Sequence, residues 1–246
     1  MYKFIHRYSS PNRFLKIIDF SMPIFFTTSF VFILAGLWFG LIDSPPDYQQ
    51  GDTVRIMYVH VPSAWISLLS YSLIAFLSFI NLVWKYPISI ILAIECAPIG
   101  ALFTFIALIT GSIWGNPTWG TWWIWDARLT SFLIIFFIFL GLIIIGKSFD
   151  NSIRKEKTFA ILALIGAFNI PIIKFSVDWW NTLHQPASVF KVSGPTISNE
   201  MLLPLILMAI GFSFLFFSLM FLSTKIEIIH RKIISIRSKK NYKVKS

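Results

Sequence analysis

The chain has 246 residues, of which 56% are hydrophobic and 13% charged, and its mean hydropathy is +0.73. Such values lie well above those of a water-soluble domain and indicate an integral membrane protein. The net charge of +10 does not predict a nucleic-acid partner, because the basic residues flank apolar spans, where attraction to anionic membrane lipid explains them better.

Apolar runs of about 20 residues, each long enough to cross a hydrocarbon core of ~30 Å, predict an all-α protein with six transmembrane helices. We expect the spans at Phe20–Ile42, Tyr58–Trp84, Ile90–Ile113, Leu129–Gly146, Thr158–Ile173 and Met201–Ser223. The fifth run is the shortest, and Pro171 is expected to kink or end it. The chain is predicted to form a single six-helix membrane domain over residues 1–246, without a cleavable signal peptide.

The lysines and arginines predict the orientation, because short loops on the cytoplasmic or matrix side carry an excess of them. The amino-terminal segment, the turn at Lys85, the loop Lys147–Lys157 and the tail after Thr224 hold 17 of the 21 basic residues. Both termini are therefore expected on the cytoplasmic or matrix side. Three segments are expected on the opposite, periplasmic or intermembrane-space face: 43–57, 114–128 and 174–200.

The segment Trp114–Ser131 reads WGNPTWGTWWIWDARLTS and holds five of the ten tryptophans. A helix after Pro117 would place four side chains on one face, at i, i+3, i+4 and i+7: Trp119, Trp122, Trp123 and Asp126. Trp125 would widen this surface, whereas Gly115, Pro117 and Gly120 predict an irregular loop in its leading part. Such a surface suits a large, flat, apolar ligand. An aromatic belt at the membrane interface is the alternative.

Two of the four histidines fall on the same predicted face as the tryptophans. His60, in MYVHVPSAW, opens the second span, and His184, in WWNTLHQPAS, lies in the long loop before the sixth. A lone interfacial histidine is usually only a polar helix end, but two imidazoles beside an aromatic surface suggest haem, whose iron takes axial histidines. His6 and His230 lie in the basic segments expected on the opposite side.

Two arginines on this face, Arg55 and Arg128, could hold the two propionates of haem through two-pronged contacts. Local pairs with Asp52 or Asp126 explain them equally well. Asp126 could cap the fourth helix, or contact haem or a partner. The only cysteine, Cys96, lies inside the third span, so a CxxCH haem-attachment site is absent and any haem is expected to be bound non-covalently.

Three segments in this order resemble a known family. VHVPSAW, the tryptophan-rich WGNPTWGTWWIWDARLTS and HQPAS are similar to the corresponding segments of the haem-handling proteins that carry the WWD motif. Six spans and this length resemble the CcmC family of cytochrome c maturation system I more than the CcmF and CcsA families, which have more spans. The resemblance covers nearly the whole chain.

The resemblance implies haem delivery rather than enzymatic activity. His60 and His184 would be the axial ligands of a transiently bound haem b, and the external loop 174–200 would carry His184. The external haem-binding segment 114–128 would act through Trp114, Trp119, Trp122, Trp123, Trp125 and Asp126. The haem would pass to the chaperone CcmE. Related components would be the small protein CcmD and the CcmA and CcmB subunits of an ABC-type complex. The location would be a bacterial or mitochondrial inner membrane, with the haem site on the periplasmic or intermembrane-space face.

Three other functions are alternatives to haem delivery. A haem-exporting membrane subunit of an ABC-type transporter is the nearest alternative. An electron-transfer cytochrome would need paired histidines within the spans, and all spans except the second contain none. A solute transporter would need several ionisable residues near mid-bilayer, whereas the clearest one, Glu95, lies near the inner end of the third span.

Overall fold

The computed structural model of this chain describes residues 10–148, 152–180, 182–185, 188–189 and 194–245. The predictions for His6, and for parts of the loop 174–200, fall outside the described residues. The helices, with the short turns that extend two of them, are α1 (Pro11–Trp38, followed by a π turn Phe39–Asp43), α2 (Met57–Trp84, preceded by a 3-10 turn Asp52–Ile56), α3 (Pro87–Trp119), α4 (Ala127–Ser148), α5 (Ser152–Ala167), α6 (Asn169–Trp179) and α7 (Asn199–Lys245).

Within the described residues, six helical segments are long and apolar enough to cross a membrane, which confirms the predicted fold class. They are Pro11–Asp43, Asp52–Trp84, Pro87–Trp119, Ala127–Lys147, Ile153–Trp179 and Asn199–Lys240. Most are longer than the apolar runs, because a helix continues through polar residues as long as its backbone bonds are made. The sequence suggested that the fifth span is the shortest, but it has 27 residues, and the shortest is the fourth, with 21.

The fifth span consists of α5 and α6, which are separated by a break at Phe168. Pro171 has no N–H to donate to the carbonyl of Ala167, four residues earlier, so the helix loses a bond one turn before the proline. The side-chain amide of Asn169 donates to the carbonyl of Ser131 on α4 at 2.7 Å and ties the break to its neighbour. The helix is therefore interrupted near Pro171, as expected, but three residues towards the amino terminus.

The core of the bundle lies along α2 and α3. These two helices pack along each other, α1 packs along α7, and α4 closes the other side of α3. Polar contacts cross the α2–α3 interface: Ser67 and Thr104 share a hydrogen bond of 2.6 Å, and the Cys96 thiol donates to the carbonyl of Ser70 at 3.6 Å. Cys96 is fully buried in α3, as the sequence predicted. Polar contacts of this kind contribute about 0.6 kcal/mol each inside a membrane.

Candidate functional site

One end of the bundle, called the histidine end here, gathers the start of α2, the end of α3, the start of α4 and the segment after α6. His60 lies in the first turn of α2 and points at α3. Its Nδ1 is 3.0 Å from the carbonyl oxygen of Ala107 and 3.1 Å from Oγ1 of Thr110. The Thr110 hydroxyl donates its own proton to the carbonyl of Ile106 at 2.6 Å.

These partners determine the tautomer of His60. A carbonyl oxygen only accepts, and the oxygen of a hydroxyl whose proton is already donated also accepts, so Nδ1 of His60 carries the proton. Nε2 of the neutral ring then keeps its lone pair, which is the form that binds a metal. The helix pair therefore holds His60 as a ready ligand.

A glycine and a tryptophan of α3 surround the His60 ring. A Cβ at position 111 would lie 2.8 Å from Cε1 of His60, so only glycine leaves room for the imidazole. The ring of Trp114, one turn later, meets the His60 ring edge to face with centroids 5.7 Å apart. The Trp114 indole N–H donates to Oε1 of Gln50 at 2.7 Å, which fixes the indole from the first loop.

The tryptophan-rich segment does not form the helical face that its spacing suggested. Helix α3 runs through Pro117 and ends at Trp119, because Gly120 adopts a left-handed conformation with φ of 74°. Residues 120–126 are not helical. The prediction that Trp119, Trp122, Trp123 and Asp126 share one helical face is therefore wrong. The prediction of a loop before Gly120 is also wrong, since that part is helix.

The five tryptophans instead divide into two groups. Trp114 and Trp119 lie on the last turns of α3 and each contacts one histidine: the Trp119 and His184 rings have centroids 6.1 Å apart. The others follow α3. Trp122 and Trp125 are 58% and 75% exposed, so they lie open rather than against the bundle. Trp123 packs edge to face on Trp125, and its buried indole N–H has no acceptor among the described residues.

Asp126 links the start of α4 to the segment that carries His184. One carboxylate oxygen accepts the backbone N–H of Leu129 at 2.7 Å, which is the capping role predicted from the sequence. The other oxygen accepts the hydroxyl of Thr182 at 2.5 Å, and the Thr182 oxygen in turn accepts the backbone N–H of His184 at 2.9 Å. Asp126 therefore also positions His184.

Arg128 lies beside His184 and makes three long contacts. Its guanidinium donates to Oγ of Ser176 and the carbonyl of Lys174, both at 3.3 Å, and its Nη1 lies 3.2 Å from Nδ1 of His184. Among the described residues, it makes no ion pair within 4.0 Å, so the predicted local pair with Asp126 is not formed. Burial, together with the positive charge of Arg128, lowers the pKa of the His184 imidazole, which is therefore neutral at neutral pH.

Arg55 is placed differently from Arg128. Its guanidinium donates to the carbonyls of Leu41 at 2.9 Å and Ser44 at 3.1 Å, and it pairs with Asp52 at 3.3 Å. It therefore joins the end of α1 to the start of α2, in line with the local-pair explanation. Next to it, the hydroxyls of Ser44 and Tyr58 share a hydrogen bond that strengthens the same junction.

The assembled groups fit haem. The imidazoles of His60 and His184 lie at the same end of the bundle, and each is accompanied by an indole from the end of α3. Two imidazoles suit an iron that takes its other four ligands from a porphyrin. The Arg128 cation and the unpaired N–H of Trp123 suit the carboxylates at the porphyrin edge. The described residues contain no cluster of three or more His, Cys, Asp or Glu side chains for a bare metal ion.

Some site residues could not be recognised in the sequence. Gln50, Thr110 and Thr182 are ordinary polar residues whose role depends on contacts across 50 or more positions of the chain. Gly111, by contrast, is one of only 12 glycines, and an isolated glycine inside a helix signals a close approach of another group.

The molecule is thus a multi-pass membrane protein that presents two histidines and several tryptophans at one end of its bundle. The profile of the family described as CcmC, heme exporter protein C, matches residues 4–239. The chain is 45% identical to the heme exporter protein C of Bradyrhizobium diazoefficiens, covering 93% of this chain and 87% of the relative. It is 43% identical to that of Haemophilus influenzae, covering 93% of both.

A mitochondrial relative is similar too. The putative cytochrome c biosynthesis ccmC-like mitochondrial protein of Arabidopsis thaliana is 42% identical, covering 82% of this chain and 80% of the relative. The chain belongs to the CcmC family. Membership supports the predicted haem-handling role in cytochrome c maturation.

Proposed function

We propose that this protein binds haem at the histidine end of its bundle and presents it to a haem chaperone during cytochrome c biogenesis. The observation that carries the proposal is the pairing of each histidine with an indole from one helix end: His60 with Trp114, and His184 with Trp119. Two neutral imidazoles flanked by aromatic rings form a site for a flat ligand with an axial metal. Family membership supports the same function.

His60 and His184 would ligate the iron through Nε2, and Trp114 and Trp119 would contact the ring. Arg128 would hold a propionate. The three tryptophans that follow α3, Trp122, Trp123 and Trp125, would cover the outer side of the ring. Asp126 would hold the segment of His184 in place. Arg55 would stabilise the entry to α2 rather than bind haem. The bound group would supply only its redox-active iron, and the chain's own part is to bind, orient and release it.

The haem would be haem b, held non-covalently, since the only cysteine is buried in α3 away from the site. The proposed receiver is a CcmE-type chaperone, and the proposed neighbours are CcmD, CcmA and CcmB. The histidine end would lie on the periplasmic or intermembrane-space face of an inner membrane, and the excess of basic residues in the other loops supports this orientation. The names of the bacterial relatives favour a second candidate, a subunit that exports haem.

Axial ligation is tested with His60→Ala and His184→Ala, each purified in mild detergent and titrated with haem. Each variant should lose the six-coordinate absorption spectrum. Free imidazole should restore it, because a small ligand can occupy the vacated position while the indoles still hold the ring. A misfolded variant would not be rescued in this way.

His230→Ala is the matched control, because His230 lies in α7 and pairs with Glu227, in the region predicted to face the opposite side. It should leave the spectrum unchanged. An unaltered six-coordinate spectrum in either site variant would overturn the ligand assignment. To separate delivery from export, the haem-loaded protein is mixed with purified CcmE. Transfer without a membrane favours delivery, and failure to transfer favours export.

A further inference from the structure

Two neighbours of His184 compete for the same ring nitrogen. Nδ1 of His184 lies 3.2 Å from Nη1 of Arg128 and 3.0 Å from the backbone carbonyl oxygen of Gln185. A guanidinium can only donate a hydrogen bond, and a carbonyl oxygen can only accept one. The first contact therefore needs a bare Nδ1, and the second needs a protonated Nδ1. A neutral imidazole can make one of these bonds, but not both.

The choice determines whether His184 can bind iron. When Arg128 donates to Nδ1, the single proton of the neutral ring is on Nε2, which then has no lone pair for a metal. When Nδ1–H donates to Gln185, Nε2 is bare and can ligate. His60 has no such choice, because both partners of its Nδ1 are acceptors. The two histidines of the site are therefore controlled differently.

Arg128 is held loosely enough to leave His184. Its two other hydrogen bonds are 3.3 Å long, and neither acceptor is charged. The nearby Asp126 and Asp178 act on it only electrostatically, because neither carboxylate forms an ion pair with it within 4.0 Å among the described residues. A half-buried guanidinium that pairs with no carboxylate among the described residues gains from meeting one, because a charge-assisted hydrogen bond is about twice as strong as a neutral one.

We propose that Arg128 is a positioning residue that withholds His184 from the iron until a carboxylate of the incoming haem engages the guanidinium. The engaged guanidinium leaves Nδ1, the ring proton moves from Nε2 to Nδ1, and Nδ1–H donates to Gln185. The ring gains and loses no net proton. This inference rests on the proposed function and adds a condition to it: recognition of a carboxylate precedes ligation by His184.

The haem-free protein provides the first test. Nitrogen-15 NMR of the full-length protein, labelled at histidine and assigned with His60→Asn and His184→Asn, distinguishes the two tautomers. We expect Nδ1–H at His60 and Nε2–H at His184. Replacing Arg128 with Met should convert His184 to Nδ1–H and leave His60 unchanged. Nδ1–H at both histidines of the unmodified protein would overturn the proposal.

The second test compares haem b with its dimethyl ester, which has no carboxylates. The unmodified protein should give a six-coordinate spectrum with haem and a five-coordinate one with the ester, which imidazole converts to six-coordinate. Arg128→Met should give a six-coordinate spectrum with the ester as well as with haem. The matched control Arg55→Met should behave as the unmodified protein.

The outcomes separate the two proposals. If haem itself gives no two-histidine spectrum, the proposed function fails. If haem and ester give the same six-coordinate spectrum in the unmodified protein, only the role of Arg128 is overturned. The comparison of the two porphyrins needs no variant, so it stands even if Arg128→Met does not fold.

Discussion

Gly111→Ala tests how closely α3 holds the ring of His60. The new Cβ would lie 2.8 Å from Cε1, 3.3 Å from Nδ1 and 3.8 Å from Nε2 of His60. Ordinary contacts begin near 3.4 Å, so the ring must retreat by roughly 0.6 Å. A retreat of this size would lengthen the 3.0 and 3.1 Å bonds from Nδ1 to Ala107 and Thr110 beyond hydrogen-bond distance.

Nδ1 carries one proton, so the two contacts share a single hydrogen bond, and its loss would cost about 1 kcal/mol, within the usual range of roughly 0.5–1.5 kcal/mol. Haem binding should weaken about five-fold, since 1.4 kcal/mol corresponds to ten-fold. The six-coordinate absorption band should also lose intensity, because the freed ring samples orientations that do not face the iron. The measurement is a haem titration of the purified variant, followed by absorption spectroscopy.

Gly141→Ala provides the matched control, because its Cβ would meet only Cδ2 of Leu162, at an ordinary distance of 3.5 Å. Both changes replace a helical glycine with a better helix former, so both should be neutral or slightly stabilising for the backbone. The control should bind haem like the unmodified protein. Unchanged haem affinity and an unchanged spectrum in Gly111→Ala would refute the close packing of His60 against α3.

Three further predictions address the other parts of the site. Gln50→Ala removes the acceptor of the Trp114 indole N–H and should lower haem affinity two- to ten-fold in the same titration. Gln50→Glu keeps an acceptor oxygen at this position and should retain the haem affinity of the unmodified protein. Trp119→Ala should release haem to apomyoglobin faster than Trp125→Ala in a stopped-flow experiment, because Trp119 contacts His184 whereas Trp125 is exposed. Equal release rates would contradict the division of the tryptophans into two groups. Because burial lowers the pKa of His184, its ring stays neutral at the ordinary histidine value of about 6.5. In the haem-free protein, an NMR titration of His184 should therefore have its midpoint below 6.5. The stability that the neutral ring contributes should be lost as the pH falls below that value, and a midpoint at or above 6.5 would contradict this.

The six spans could be predicted because the bilayer imposes a length on apolar runs that is visible in one sequence. The residues at which the helices end could not be predicted, since they depend on backbone hydrogen bonds and on the conformation of single residues. Pro117 predicts an irregular loop, yet it lies in the last turn of α3, where it costs a single backbone bond. The actual end comes from Gly120, whose left-handed conformation terminates the helix.

The candidate histidines and tryptophans could be chosen from residue type and position in the sequence. The contacts of the site residues could not be predicted in this way. Arg55 and Arg128 look equivalent in the sequence, each with an acid two or three residues away. Arg55 does pair with its acid, whereas Arg128 reaches His184, 56 positions further along the chain. That contact exists only because α4 and α6 pack side by side, which no local pattern indicates.

The two proposed ligands differ in what it takes to move them. His60 is part of α2, and its ring is enclosed by α3, so its departure would require the helices to separate or the first turn of α2 to unwind. His184 lies in a non-helical segment held chiefly through Thr182, which bonds to Asp126 and to the His184 backbone, and such bonds are worth about 0.5–1.5 kcal/mol each. Under the proposed function, His184 would therefore be the ligand that leaves first when haem is released, and His60 would be the ligand that holds it longer.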